Sequence, residues 1–321
     1  MLCPIPFSFY YREGCSDLRQ NKRKDTRFII MCLTPAMLCI VFLFAYPVLR
    51  TGLMSFHTMD SFTDGFDKWA FVGSQNYSNA WKMPLFSRSF VNLLLIWVAG
   101  GLVTLSVSLF YAVVISSGVK AKAFWRSIVY LPNIISMVAL AAMWTQYIYN
   151  TNFGLLTSVF RALGLNTLAG ILWTDEKNIF WSMVFSFCFG CVGYYLLIFL
   201  AGIDRIPQEI YESAYIDGAG RIRSFFSITL PLLRGIIRTG VALWTITTAN
   251  FFVWSLIYTR NLTGSTAVPG VLMYNLIFGS RINAVILDPG AGAVVGVLVT
   301  LSVMAAYGAL NLFFPERRLE Y

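Results

Sequence analysis

Six apolar runs, each long enough to cross a bilayer, divide this 321-residue chain. An α-helix rises 1.5 Å per residue, so about 20 apolar residues cover the hydrocarbon layer. The runs lie at about Phe28–Leu49, Ser89–Ser116, Ser127–Tyr149, Ile179–Gly202, Leu232–Tyr258 and Gly290–Phe313. None shows the apolar–polar alternation of a lipid-facing barrel strand, so each predicts a helix that satisfies its own backbone. Charged residues are 12% of the chain, against roughly 25% in soluble domains, too few to coat a globule. The expected fold class is therefore an all-α integral membrane protein with six transmembrane helices.

Lys and Arg set the orientation. With the N-terminus in the cytoplasm, the inner side holds Arg12, Arg19, Lys22, Arg23, Lys24 and Arg27 in the tail, then Lys120, Lys122 and Arg126. It also holds Arg205, Arg221, Arg223, Arg234, Arg238, Arg317 and Arg318. The outer side holds half as many: Arg50, Lys68, Lys82, Arg88, Arg161, Lys177, Arg260 and Arg281. The positive-inside bias predicts both termini in the cytoplasm. The net charge of +9 is then a matter of topology, and nucleic acid is not an expected partner. Tyr130, Tyr147, Tyr149 and Tyr258 fall near span ends, as in an interfacial belt. The organisation expected is a cytoplasmic tail over 1–27, a membrane domain over 28–313 and a second cytoplasmic tail over 314–321. The first apolar run exceeds signal-peptide length and lacks a clear cleavage site, so it is expected to remain as the first span.

Reactive chemistry is scarce. Cys3 and Cys15 lie in the polar tail, and Cys32 and Cys39 in the first run. Cys188-x-x-Cys191 sits in an apolar setting without a βαβ pattern, so small lipid- or core-facing residues are expected rather than a redox pair. His57 is the only histidine, and no metal site is expected. The sequons at Asn76 and Asn261 would matter only in a eukaryotic secretory pathway.

The loop after the fourth run, residues 203–231, is longer than a linker requires. Pro207 suits a first helical turn, and Gln208, Glu209 and Glu212 suit the positive end of its dipole. Gly218 permits a left-handed residue that ends the helix and turns the chain. Ile206, Ile210 and Ala214 recur at helical spacing. Arg221 to Ile228 reads as a second short helix, and Pro231 marks the start of the fifth span. The result is a cytoplasmic helix–turn–helix, which physics alone reads either as a packed interfacial loop or as a docking surface.

The loop resembles the EAA signature of permease subunits of binding-protein-dependent ABC importers: Glu-Ala-Ala, three residues, Gly, nine residues, then Ile-x-Leu-Pro. Here it reads Glu212-Ser213-Ala214, Gly218, then Ile228-Thr229-Leu230-Pro231, with Asp217-Gly218-Ala219 matching a longer form. Ser213 replaces the first alanine. Tyr130-Leu131-Pro132, Trp144, Phe71-Val72-Gly73-Ser74-Gln75-Asn76-Tyr77 and Ile198-Phe199-Leu200-Ala201-Gly202 are similar to the MalF/UgpA-like sugar-permease branch. Where that branch often carries Thr-x-Gly-Gly-Pro, this chain has Thr263-Gly264-Ser265 with Pro269 displaced.

The resemblance implies a bacterial cytoplasmic-membrane subunit that forms half of a translocation pathway for a sugar or oligosaccharide. It implies a second homologous permease, two copies of an ABC ATPase, and an extracytoplasmic binding protein. The chain holds no G-x-x-x-x-G-K-[S/T], so ATP and magnesium belong to the partner ATPase and no cofactor is expected here. The ATPase-coupling set is Glu209, Glu212, Ser213, Ala214, Asp217, Gly218, Ile228, Leu230 and Pro231. Asn250 and Tyr194 correspond by resemblance to sugar-contacting positions, and Trp254 lies one helical turn after Asn250. An ion-gradient-driven secondary transporter is the competing class, but it would place charges within spans. A membrane enzyme would need paired acids or histidine clusters.

Overall fold

The computed structural model describes residues 28–259, 264–279 and 287–313. The two tails, and with them Arg12, Arg317, Cys3 and Cys15, lie outside the described residues. So do Arg260, Asn261, Thr263 and Arg281.

The chain divides into two units at Leu53–Met54. The first consists, among described residues, of α1, the helix Phe28–Met54 that ends at the boundary. Apart from Arg50 near its end it is apolar on nearly every face, as a lipid-solvated helix can be.

The second unit opens with a two-stranded antiparallel hairpin, β1 (His57–Thr58) on β2 (Ala70–Phe71), with His57 opposite Phe71. There follow α2 (Gln75–Lys82), α3 (Pro84–Ser116), and the pair α4 (Lys122–Ile134) and α5 (Met137–Ile148). Two short helices, α6 (Leu155–Ala162) and α7 (Asn166–Ala169), lead to α8 (Ile179–Ile203). Then come α9 (Gln208–Ile216), α10 (Arg221–Leu232), α11 (Arg234–Ala249), α12 (Phe252–Tyr258), α13 (Pro269–Phe278) and α14 (Pro289–Phe313).

Among the described residues, four helices, α1, α3, α8 and α14, are by themselves long and apolar enough to cross a membrane. The continuous third span expected over Ser127–Tyr149 is not one helix. It is broken between α4 and α5 by a bend of 95°. Pro132 lies inside α4 and removes one ladder donor. Ile135 turns extended, and Ser136 then caps α5 by accepting from the Ala139 amide at 3.2 Å. The expected fifth span, Leu232–Tyr258, is likewise divided. It is interrupted at Asn250–Phe251, between α11 and α12.

α8 is the axis of the core. Met183, Phe187, Tyr195, Leu196, Phe199 and Leu200 are almost wholly buried along it. Glycines set how closely its neighbours approach. A Cβ on Gly193 would lie 2.6 Å from the Val129 carbonyl oxygen, so α4 and α8 cross backbone to backbone there. The Gly100–Gly101 pair makes room for an indole. A Cβ on Gly101 would lie 2.5 Å from Trp244 Nε1, and that Nε1 donates to the Trp97 carbonyl at 2.8 Å. Gly292 packs against Ile277 of α13. Cys188 is buried with its Sγ 3.5 Å from the Gly100 carbonyl, and Cys191 is half-buried.

Candidate functional site

The chain leaves α8 at Ile203 and regains the core at Leu233, which is 1% exposed. The two ends of this excursion touch. A Cβ on Gly202 would lie 2.3 Å from Ile236 Cδ1 and 2.9 Å from Leu233 Cδ2. Ile206 packs on the core beneath the loop. Lys122 reaches from the start of α4 to Asp204 at 3.1 Å; both side chains are substantially exposed, so the pair contributes at most about 1 kcal/mol.

α9 starts one residue later than its sequence suggests, because Pro207 is the cap rather than the first helical residue. Glu209 occupies the first turn, where the dipole favours it. The helix ends in a Schellman closure. The Ala219 amide donates to the Ala214 carbonyl at 2.9 Å and the Gly218 amide to Tyr215 at 3.0 Å. Gly218 sits at φ +77°, a left-handed value that glycine adopts without a Cβ penalty. Gly220 then caps α10. The second helix runs to Leu232 rather than ending at Ile228, and it passes through a wide π-turn at Phe225–Thr229 just before Pro231. Pro231 has no amide hydrogen for the ordinary ladder. After Leu232 the path bends by 67° into α11.

The tie between the two halves of the loop is a side-chain pair. Tyr211 Oη and Thr229 Oγ1 are 3.0 Å apart, and Thr229 is buried. Glu209, Glu212, Ser213, Asp217, Gly218 and Pro231 are exposed, while Ala214, Ile228 and Leu230 are half-buried. Glu212 accepts from Gln208 Nε2 at 2.8 Å, and Ser213 Oγ donates to the Glu209 carbonyl at 2.9 Å. Sequence reasoning passed over the apolar tip. Tyr215, Ile216 and Ile222 are 80%, 83% and 77% exposed around the turn. The available signal was three large apolar residues flanking a glycine turn in an otherwise polar loop.

The expected pathway residues occupy three different settings. Asn250 follows α11, is exposed, and donates from Nδ2 to the Ile246 carbonyl at 3.0 Å. Its amide is thus used locally and closes the helix end. Tyr194 is 39% exposed on α8 and meets Tyr195 edge-on at 5.2 Å. Trp254 is 2% exposed, packed against Phe187 and Tyr258 at ring distances of 5.8 and 6.4 Å. Its indole therefore supports the packing of α12 on α8. A cavity of about 340 Å³ between α3, α11 and α14 is lined by Trp97, Thr245, Thr248 and Ala249 among others, and by none of those three residues. Thr248 Oγ1 is buried there without a hydrogen-bond partner. Its signal in the sequence was the cluster of Thr245, Thr247 and Thr248 inside an apolar segment.

Residues 104–319 match the family described as binding-protein-dependent transport system inner membrane component. A probable ABC transporter permease protein of Pyrococcus horikoshii is 30% identical, over 83% of this chain and 93% of its own length. The trehalose/maltose transport system permease protein MalF of Thermococcus litoralis is 27% identical, over 88% and 92%. The diacetylchitobiose uptake system permease protein NgcF of Streptomyces coelicolor is 30% identical over 66% of this chain, which spans 63% of that relative's length. The fold is shared with a chain of a bacterial ABC transporter that imports the acidic polysaccharide alginate, with a TM-score of 0.74, 19% identity, and coverage of 95% and 100%. The chain belongs to the binding-protein-dependent transport system inner membrane component family.

Proposed function

We propose that this chain forms half of the membrane pathway of an ATP-driven carbohydrate importer, and that the α9–α10 loop receives the stroke of a separate ATPase. Relatives named for diacetylchitobiose and for trehalose/maltose support the substrate class. A second homologous permease completes the pathway, two ATPase copies hold the ATP and magnesium, and an extracytoplasmic binding protein delivers the sugar. Taking α4–α5 and α11–α12 each as one broken span beside α1, α3, α8 and α14 gives six crossings and leaves α9 and α10 outside the membrane. The excess of Lys and Arg on one side of these runs supports a cytoplasmic position for both termini and the loop.

The observation that carries the reading is the form of the loop. A helix closed by main-chain bonds presents an exposed apolar tip at Tyr215, Ile216 and Ile222. Three large apolar side chains in water are a docking surface by composition. The loop's base is a tight contact between Gly202 of α8 and Ile236 of α11, so a push on α9 moves two membrane helices together. Glu212 stands beside the tip, where its carboxylate can take a charge-assisted hydrogen bond from a basic ATPase residue. Glu212→Arg reverses that charge. In reconstituted transporter, uptake is expected to fall at least tenfold, and substrate-stimulated ATP hydrolysis with it. Uptake and hydrolysis both within twofold of the parent would remove Glu212 from the coupling set.

A further inference from the structure

A second cavity lies apart from the coupling loop and from Asn250. It opens beside the Ile179 end of α8 and has a volume of about 460 Å³. Its roof is aromatic: Tyr149 and Phe160 flank Trp173 at 5.9 and 6.3 Å, with interplanar angles of 24° and 27°. Its floor is formed by Ala99 and Val103 of α3 with Val184 and Cys188 of α8. Trp181 and Phe185 also line it and are each more than half exposed, so the cavity opens sideways.

Polarity changes along its length. Asn178 and Ser182 lie at the roof end, and the α8 wall then runs apolar to Cys188. Ten residues of helix make that wall about 15 Å long. Two polar atoms of the lining are buried without a partner, Trp173 Nε1 and Ser182 Oγ. Ser182 is 4% exposed. The other polar groups at that end are already engaged. Tyr149 Oη donates to the Ser182 carbonyl at 2.9 Å, and Asn178 Nδ2 donates to Leu172 at 3.1 Å. An unpaired buried N–H or O–H is costly, so both invite an acceptor.

The chemistry of that acceptor is constrained. No Lys, Arg, Asp or Glu lines the cavity, which disfavours a phosphate or other ionised group. A saccharide would carry many hydroxyls into walls with two free polar atoms, leaving most of them unsatisfied. An ester carbonyl at the head of a hydrocarbon chain is an uncharged acceptor followed by an apolar tail. We propose that this cavity holds one acyl chain of a bilayer lipid, with its ester carbonyl accepting from Trp173 Nε1 and Ser182 Oγ. The proposal rests on the membrane reading above only for bilayer as the surrounding solvent. It is independent of which leaflet the Ile179 end faces and of which solute is transported.

The test uses the full transporter in phosphatidylcholine vesicles doped with a phospholipid carrying a photoactivatable group on its acyl chain. After irradiation, label on the stretch 181–188 is expected to exceed label at the exposed α14 side chains Leu301 and Met304 by at least fivefold. Val103→Trp fills the floor and should remove most of that excess. Trp173→Phe keeps the ring and deletes the donor, and should lower the excess two- to fivefold while the complex elutes unchanged on size exclusion. Label on 181–188 no greater than on α14, or an excess that survives both substitutions, would overturn the proposal. Displacement of the label by free saccharide would also overturn it, by giving the cavity to a sugar instead.

Discussion

The chain interrupts its helices both at the α9–α10 turn and at the junction of α11 with α12, and the two interruptions are built differently. At the first, glycine holds φ at +77° and two main-chain amides cap the carbonyls of Ala214 and Tyr215. At the second, no residue adopts a left-handed conformation, main-chain amides of Asn250 and Phe251 close onto Ile246 and Thr248, and the Asn250 side chain adds a second donor to the Ile246 carbonyl. A turn closed by backbone keeps its shape under load, because its bonds do not depend on a rotamer. At the second, the side-chain amide of Asn250 can leave Ile246 for another acceptor while the backbone bonds keep the helix end. The first suits the transmission of a stroke, and the second suits contact with a passing polar solute.

The sharpest way to break this contrast is Gly218→Pro. Proline fixes φ near −65° and has no amide hydrogen, so the left-handed turn and its bond to Tyr215 are both lost. Uptake in reconstituted transporter should drop tenfold or more, while ATP hydrolysis persists at its solute-independent level. Uptake within twofold of the parent would show that the closed turn carries no stroke.

Asn250→Ala should act elsewhere and less severely. It deletes the amide and leaves the α11 backbone bonds in place. The apparent affinity for the transported sugar is expected to weaken three- to tenfold, about 0.7–1.4 kcal/mol, with assembly and basal hydrolysis unchanged. Unchanged uptake kinetics across sugars would leave Asn250 as a helix closure alone.

What the sequence made legible follows the same division. The loop could be read because its constraints are local: a proline before a helix, acids in its first turn, a glycine where the turn must be left-handed. The breaks in the third and fifth apolar runs were not read. Pro132 was visible, but proline is tolerated within membrane helices when neighbours re-satisfy the backbone, and the break falls three residues later at Ile135. Trp254 was placed near Asn250 by helical spacing, yet spacing does not say which face meets Phe187. Its near-complete burial is a property of the packing of α8 against α12. Trp173 was silent, since an unpaired buried indole exists only once its surroundings are assembled.

Tyr211→Phe is a milder intervention on the coupling side. It removes the hydrogen bond to Thr229 and leaves the ring in place. A hydrogen bond of this kind contributes about 0.5–1.5 kcal/mol. The sugar imported per ATP hydrolysed should fall two- to fivefold as α9 loosens from α10. An unchanged ratio would mean that the Schellman closure alone holds the loop's shape.

Ser213→Ala should have the smallest effect, and its smallness is informative. The substitution restores the alanine of the family signature that this chain lacks. Ser213 Oγ donates to the Glu209 carbonyl one turn back, in an exposed part of α9. Such a bond competes with water and slightly disfavours a helix, whereas alanine has the highest helix propensity. The two effects offset to within about 0.5 kcal/mol, so transport and hydrolysis should stay within twofold of the parent. A loss larger than that would mean that the hydroxyl itself meets the ATPase. The docking surface would then extend from the apolar tip of Tyr215, Ile216 and Ile222 onto the Glu209–Ser213 face of α9, and the contact would be specific to a partner that recognises serine there.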